Sequence, residues 1–345
     1  MAHLPSPRGP LSGFVLAALR GRPGTLTCAQ TTALDVPDVA DPLADEDLQL
    51  ALYCLYELHY RGFQSVDERW EWDPALLAMR ARLEDAFEAG LQAALAGWTP
   101  PAATPETADL ALRAIIDADT APSLSRFLET RGTREQMLEF LMHRSAYQLK
   151  EADPHSWAIA RLSGAPKAAL VEVQADEYGG GDPARVHATL FAKCMRSVGL
   201  DDEYGAYLDM LPAVTLATVN LMSYFGLHRR HRGRIVGHLA VFEMTSSIPN
   251  RRYATGLRRL GIDDAAATDF FDEHVTADAV HENIAAVDLA GGLMRAEPEQ
   301  TDAILFGAQA LIELDGRWSQ AILDAWEDGG SVLRHAADPA LAGAR

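Results

Sequence analysis

Histidine, aspartate and histidine fall at positions 274, 278 and 281 of the segment FFDEHVTADAVHENIAAVDLAGG, an H-x-x-x-D-x-x-H spacing. Each helical residue advances 100°, so His274, Asp278 and His281 share roughly a 60° sector of a helix. Phe270, Phe271, Ala277, Ile284 and Ala285 project into or beside that sector, which places the imidazoles and the carboxylate on the core-facing side. Burying such groups without partners costs several kcal/mol, and a metal ion answers the need. The competing reading is a solvated helix face with coincidental spacing, and the apolar neighbours count against it.

Metal chemistry at such a helix needs further carboxylates from other helices. Glu243 is the foremost, set in GHLAVFEMTSSIP among Leu239, Ala240, Val241, Phe242 and Met244. There it must be protonated, salt-bridged or metal-bound. Glu177 and His187 lie either side of three glycines in VEVQADEYGGGDPARVHATLF. Asp182 and Pro183 signal a new helix start, so the break lets donors from consecutive helices converge. Glu172 is the rival carboxylate on the first of these helices, and a plain helical corner with exposed side chains is the alternative. Glu151 closes the helix before Asp153-Pro154. A negative charge at a helix C-terminus is unfavourable with the dipole and favours a compensating cation, although a surface carboxylate fits the local pattern equally well. His155 stands behind these residues at most, because Pro154 interrupts the helix that would align it with Glu151.

The elements that must carry these residues are helical throughout. Period-two alternation is missing, whereas alanine- and leucine-rich stretches show helical spacing. Helices are expected at 45–61, 74–96, 106–118, 122–130, 133–152, 165–178, 183–198, 203–225, 230–248, 250–260, 265–290, 298–312 and 314–328. The expectation is an all-α bundle, divided into a flexible lead-in at 1–40, a helical extension at 41–130 packed on the bundle, the main domain at 131–330 and a tail at 331–345. The 345 residues supply ample core. Acidic residues exceed basic ones by 49 − 30 = 19, which disfavours nucleic acid and anionic membrane surfaces. Cys28, Cys54 and Cys194 form no C-x-x-C, which suits a reducing cytoplasm. The apolar run GFVLAAL near the N-terminus is followed by no clean cleavage site, so a signal peptide is not expected.

Other polar groups read as bystanders. Glu57 and His59 are two apart and point to different faces, which favours structural or substrate-facing roles. His228, His231 and His238 sit among arginines and read as a solvated bend or an anion contact; His143 reads as helix packing. Arg144, Arg229 and Arg230 are candidates to meet a substrate carboxylate. Dinucleotide, Walker and serine-hydrolase motifs are absent.

Taken in order, EADPHSWAIARL, VEVQADEYGGGDPARVHATLF, GHLAVFEMTSS and DEHVTADAVHE resemble the haem-oxygenase-like di-iron oxidases and oxygenases, over about residues 135–330. The resemblance implies a seven-helix haem-oxygenase-like bundle, here with additional N-terminal helices, that holds two irons rather than haem. It carries over the ligands Glu151, Glu177, His187, Glu243, His274, Asp278 and His281. By that analogy Glu151, His187 and His281 hold one iron, His274, Asp278 and Glu243 the other, and Glu177 bridges. Three His and four carboxylates suit Fe(II). The implied activity uses O2 as co-substrate, with Glu151, Glu177 and Glu243 as the catalytic carboxylates, to oxidise a small amino-acid-like or amine substrate of specialised metabolism. N-oxygenation, desaturation and oxidative C–C cleavage are all within its range. A reductase or external reductant, a homodimer and a cytoplasmic location are expected with it. The alternatives are fatty-acid oxidative decarboxylation on the same irons, a metal-free small-molecule binder or cofactor-independent hydrolase of the same architecture, and a structural helical protein. The last would leave Glu243 and His274 uncompensated.

Overall fold

Apolar residues three and four apart give a helix one buried stripe, and Ala108, Ala111, Leu112 and Ile115 bury in that pattern. The same logic repeats along the chain. A computed structural model describes residues 2–34, 36 and 39–334, the side chains of 276–280 excepted. Asp278 and most of the expected C-terminal tail therefore lie outside the described side chains. The helices are α1 (Pro10–Leu19), α2 (Cys28–Ala33), α3 (Glu46–Glu57), α4 (Pro74–Ala94), α5 (Ala108–Asp117), α6 (Leu124–Thr130), α7 (Arg134–Gln148) and α8 (Asp153–Ser156). They continue as α9 (Gly164–Glu177), α10 (His187–Ser197), α11 (Ala213–Leu227), α12 (Arg232–Arg259), α13 (Ala265–Asn283), α14 (Gly292–Ala296) and α15 (Thr301–Glu327). Among the described residues the only strand-like pairing is a bridge between Ala2 and Phe63, so the fold is all-α.

The long helix α12 is the axis of the bundle, packed against α6, α11, α13 and α15. Its crossing with α15 is backbone on backbone. A Cβ on Gly237 would lie 1.8 Å from the Ile304 carbonyl oxygen, and one on Gly307 would lie 2.0 Å from that of Arg234. Only glycine permits that approach at either position.

Several boundaries differ from the sequence reading. Within the expected lead-in, residues 10–19 are a packed helix: α1 buries Leu11, Val15, Leu16 and Leu19. Its first turn is capped from outside, with Asp47 accepting from the Leu11 and Ser12 amides at 2.7 Å each. Arg8 pairs with Glu46 at 2.6 Å, and Glu46 also accepts from the Ala213 amide. The Pro- and Gly-rich composition hid a helix whose stability comes from these tertiary partners. The helices expected at 230–248 and 250–260 are one, α12, which runs through Pro249 and leaves the Thr245 carbonyl without its usual backbone donor. Residues 298–312 and 314–328 likewise merge in α15, whose buried stripe runs unbroken through Leu311, Leu314, Trp318 and Ile322. Conversely, α7 ends at Gln148, α10 begins at His187 and α11 at Ala213. Beyond His281 the chain widens into a π-helix at Ile284–Gly291, a form concentrated at functional sites.

Substituting Gly237→Ala or Gly307→Ala should destabilise the protein by about 3 kcal/mol, the upper end for overpacking, because backbone must move. Chemical denaturation would measure it, and an unchanged midpoint would contradict the close crossing.

Candidate metal centre

Three helix ends and two helix interiors meet in the middle of the bundle. Glu151 follows the end of α7, where Ala152 turns the chain at φ 73°, in the left-handed region. A non-glycine residue there is held under strain by its surroundings, and the Gln174 amide donates to the Ala152 carbonyl at 2.8 Å. Glu177 ends α9 and His187 opens α10, with glycines 179–181 between them all at positive φ. A Cβ on Gly179 would strike the Val186 amide nitrogen at 2.7 Å, so the corner can close only on glycine. Glu243 projects from α12, and His274 and His281 from α13.

The donors form two buried groups. Glu151, Glu177, His187 and His274 each place one ligand atom within 4.8 Å of the others, and so do Glu177, Glu243 and His281. Glu177 is common to both. His187 Nδ1 lies 2.9 Å from Glu177 Oε2, His274 Nε2 3.6 Å from Glu151 Oε1, and His281 Nδ1 3.5 Å from Glu243 Oε2. The grouping differs from the expected partition: here His274 stands with Glu151 and His187, and His281 with Glu177 and Glu243. Glu172, the rival carboxylate, is exposed on the far side of α9.

Proton positions follow from the neighbours. His274 Nδ1 donates to the Phe270 carbonyl at 2.7 Å, which turns Nε2 toward Glu151. His281 Nε2 meets Asp176 Oδ2 at 3.0 Å while Nδ1 turns toward Glu243. Asp176 thus orients a ring in the way carboxylates orient metal-bound histidines. Sequence reasoning missed Asp176, since adjacent residues on a helix face different ways. Burial alone would depress His281, but Glu243 and Asp176 lift it to about 9. Burial and the nearby Glu177 charge push the Glu243 carboxyl up.

A family model for iron-containing redox enzymes matches residues 138–316, just over half of the chain. The chain belongs to this family. Within the iron-containing redox enzymes, a nitrosourea synthase from Streptomyces achromogenes subsp. streptozoticus is 29% identical over 200 residues. The match covers 56% of this chain and 42% of that relative, so the chain spans well under half of its length. The all-α bundle accords with the haem-oxygenase-like fold that the sequence motifs implied.

The donor set of this iron-containing redox enzyme fits the metal on its own chemistry. Imidazoles and carboxylates in this ratio suit Fe(II), and Glu151 Oε2 is buried without a hydrogen-bond partner. Such an atom costs free energy unless a cation meets it. Beside the donors, His155 and His238 form a buried pair, Nε2 to Nδ1 at 3.1 Å, with burial pushing His155 down to about 3. His155 shares a cavity of about 10 Å³, room for roughly one water, with Glu151, Glu177 and Glu243.

The bystanders resolve into packing. His238 and His231 are buried rather than solvated, and two of the arginines nearby are paired, Arg234 with Glu88 at 2.6 Å and Arg232 with Glu297. His228 reaches Glu84 at 2.9 Å, and His143 Nδ1 meets Thr215 at 2.7 Å. Glu57 is structural. It is fully buried, accepts from Tyr204 at 2.6 Å and pairs at 3.0 Å with Lys150, which is itself 1% exposed. The Lys150 ammonium also lies 4.2 Å from the centre of the Tyr60 ring. This knot fixes the residue immediately before Glu151 to the end of α3.

Glu57→Ala should therefore destabilise the fold by about 3–5 kcal/mol, as expected when a buried charge loses its partner; denaturant titration at constant m-value is the measurement. The pH dependence has a definite sign. His281 holds its proton to about 9 when folded against an ordinary 6.5. That stabilisation of the metal-free chain is full below 6.5 and is lost as pH rises through 9, and the raised Glu243 acts in the same direction. Metal displaces these protons. Stability in EDTA should fall across this window, whereas Fe(II)-loaded protein under nitrogen should not show the fall. Equal slopes in both conditions would contradict the linkage.

Proposed function

We propose that this chain is an O2-dependent oxidase or oxygenase with two non-haem irons, acting on a small amino-acid-like or amine substrate. The observation that carries this reading is Glu177, shared by two buried donor groups that together could hold a pair of ions. Glu151, Glu177, His187 and His274 would hold one ion, Glu177, Glu243 and His281 the other, with Asp278 as a further ligand by family resemblance. Bound iron would supply the electrons for O2 activation. The protein's part is to balance charge, orient donors and exclude water. Glu151, Glu177 and Glu243 offset the cationic charge, and Asp176 keeps the proton on His281 Nε2 so that Nδ1 stays toward the centre. Phe191, Phe242 and Phe270 line the adjoining cavity of about 240 Å³, which reaches Glu151 and His274. That cavity is the proposed substrate pocket. The similarity to a protein named as a nitrosourea synthase supports a nitrogen-bearing substrate.

Anaerobic reconstitution should load about two Fe(II) per chain, and O2 uptake should follow. Glu177→Ala should lose both ions, whereas Glu172→Ala on the same helix should keep them. A single tight zinc with no reaction toward O2 would overturn the proposal.

A further inference from the structure

One wall of the substrate cavity carries charge that the metal centre does not use. Arg144 and Gln148 lie one turn apart on α7, and the chain runs about one turn further to Glu151, a span of roughly 10 Å in all. All three line the cavity. Gln148 is 9% exposed, and its Oε1 has no hydrogen-bond partner. A buried acceptor in that state lacks compensation for its lost water, so it calls for a donor that the chain does not provide. The Arg144 guanidinium lies 4.3 Å from the centre of the Trp318 ring, and its Nη2 lies 3.6 Å from Asp315 Oδ1. At that distance the two charges attract without a hydrogen bond. A guanidinium stacked in this way keeps its planar edge for a carboxylate, and Asp315, which also lines the cavity, offers the opposite sign beside it.

We infer that Arg144, Asp315 and Gln148 are the specificity-determining wall of this pocket, selecting an extended zwitterionic substrate. Its carboxylate sits on Arg144 and its ammonium on Asp315. A second N–H or O–H donor further along the molecule meets Gln148 Oε1, and the end beyond it reaches Glu151 and His274. The span from Arg144 to Glu151 sets the length, so a short amino acid cannot bridge it. A plain fatty acid would satisfy Arg144 while leaving Asp315 and Gln148 unmet. This inference rests on the proposed pocket, and its test separates the two.

Calorimetric titration of metal-free and of Fe(II)-loaded protein under nitrogen would use four probes: L-lysine, L-norleucine, hexanoate and L-alanine. L-Lysine should bind at least fivefold tighter than L-norleucine, and L-norleucine at least fivefold tighter than hexanoate or L-alanine. Arg144→Gln should weaken L-lysine at least tenfold. Asp315→Asn should weaken L-lysine and L-norleucine but not hexanoate, and Gln148→Leu should erase the difference between L-lysine and L-norleucine. Each variant is checked for native circular dichroism, and the three report independently should one fail to fold. Hexanoate binding as tightly as L-lysine, indifference to Arg144→Gln, or no binding of any probe would overturn the inference. If the selectivity holds in protein that takes up no iron, the wall stands and the iron reading falls. Iron uptake without the selectivity would overturn the wall and leave the iron reading standing.

Discussion

Three carboxylates share the interior of one helical bundle, and the structure around them is arranged to make that tolerable. Glu151, Glu177 and Glu243 are all nearly inaccessible to solvent, and Glu177 stands within reach of both others. Like charges in a partly dry interior repel strongly, so each must meet a cation, a proton or a donor. The histidines answer part of the demand, one beside each carboxylate. Where they fall short, burial and the nearby Glu177 charge push the Glu243 carboxyl up. Bound iron would answer the rest, and the donor set, the orphaned Glu151 oxygen and the membership of an iron-containing family all bear on that demand.

That demand explains features that otherwise read as irregularities. Helices normally end at the surface, yet α7 ends inside just before Glu151, while α9 ends at the surface and turns only its Glu177 side chain inward. The left-handed Ala152 and the glycine corner at 179–181 are the local strains that make such endings possible. The two histidines of α13 are seven residues apart, so they share a face but sit about 10 Å apart along the axis. One helix therefore serves both groups of donors.

Much of this was legible in the sequence. A polar residue at an apolar phase stands out in any helix, which is how His274, His281 and Glu243 declared themselves, and glycine next to Asp-Pro marked the corner that joins Glu177 to His187. The partners that depend on chain crossings were not legible. Asp176 meets His281 across 105 residues, and the His155–His238 pair spans 83. The assignment of His274 and His281 to their groups is also a matter of tertiary depth, which periodicity does not encode. Composition misled at the N-terminus, where proline and glycine obscured α1, a helix that exists because Asp47 and Glu46 receive it.

The knot between Glu57 and Lys150 bears on how such chains diverge. The family resemblance begins at residue 138, as though the first two fifths of the chain were an accessory that lineages add or discard. Yet the lysine that precedes Glu151 has its counter-charge on α3, outside the resembling region. A boundary of shared ancestry is here not a boundary of electrical neutrality. The N-terminal helices could be lost or exchanged in descent only together with Lys150, so the two segments are constrained to change in concert across that seam.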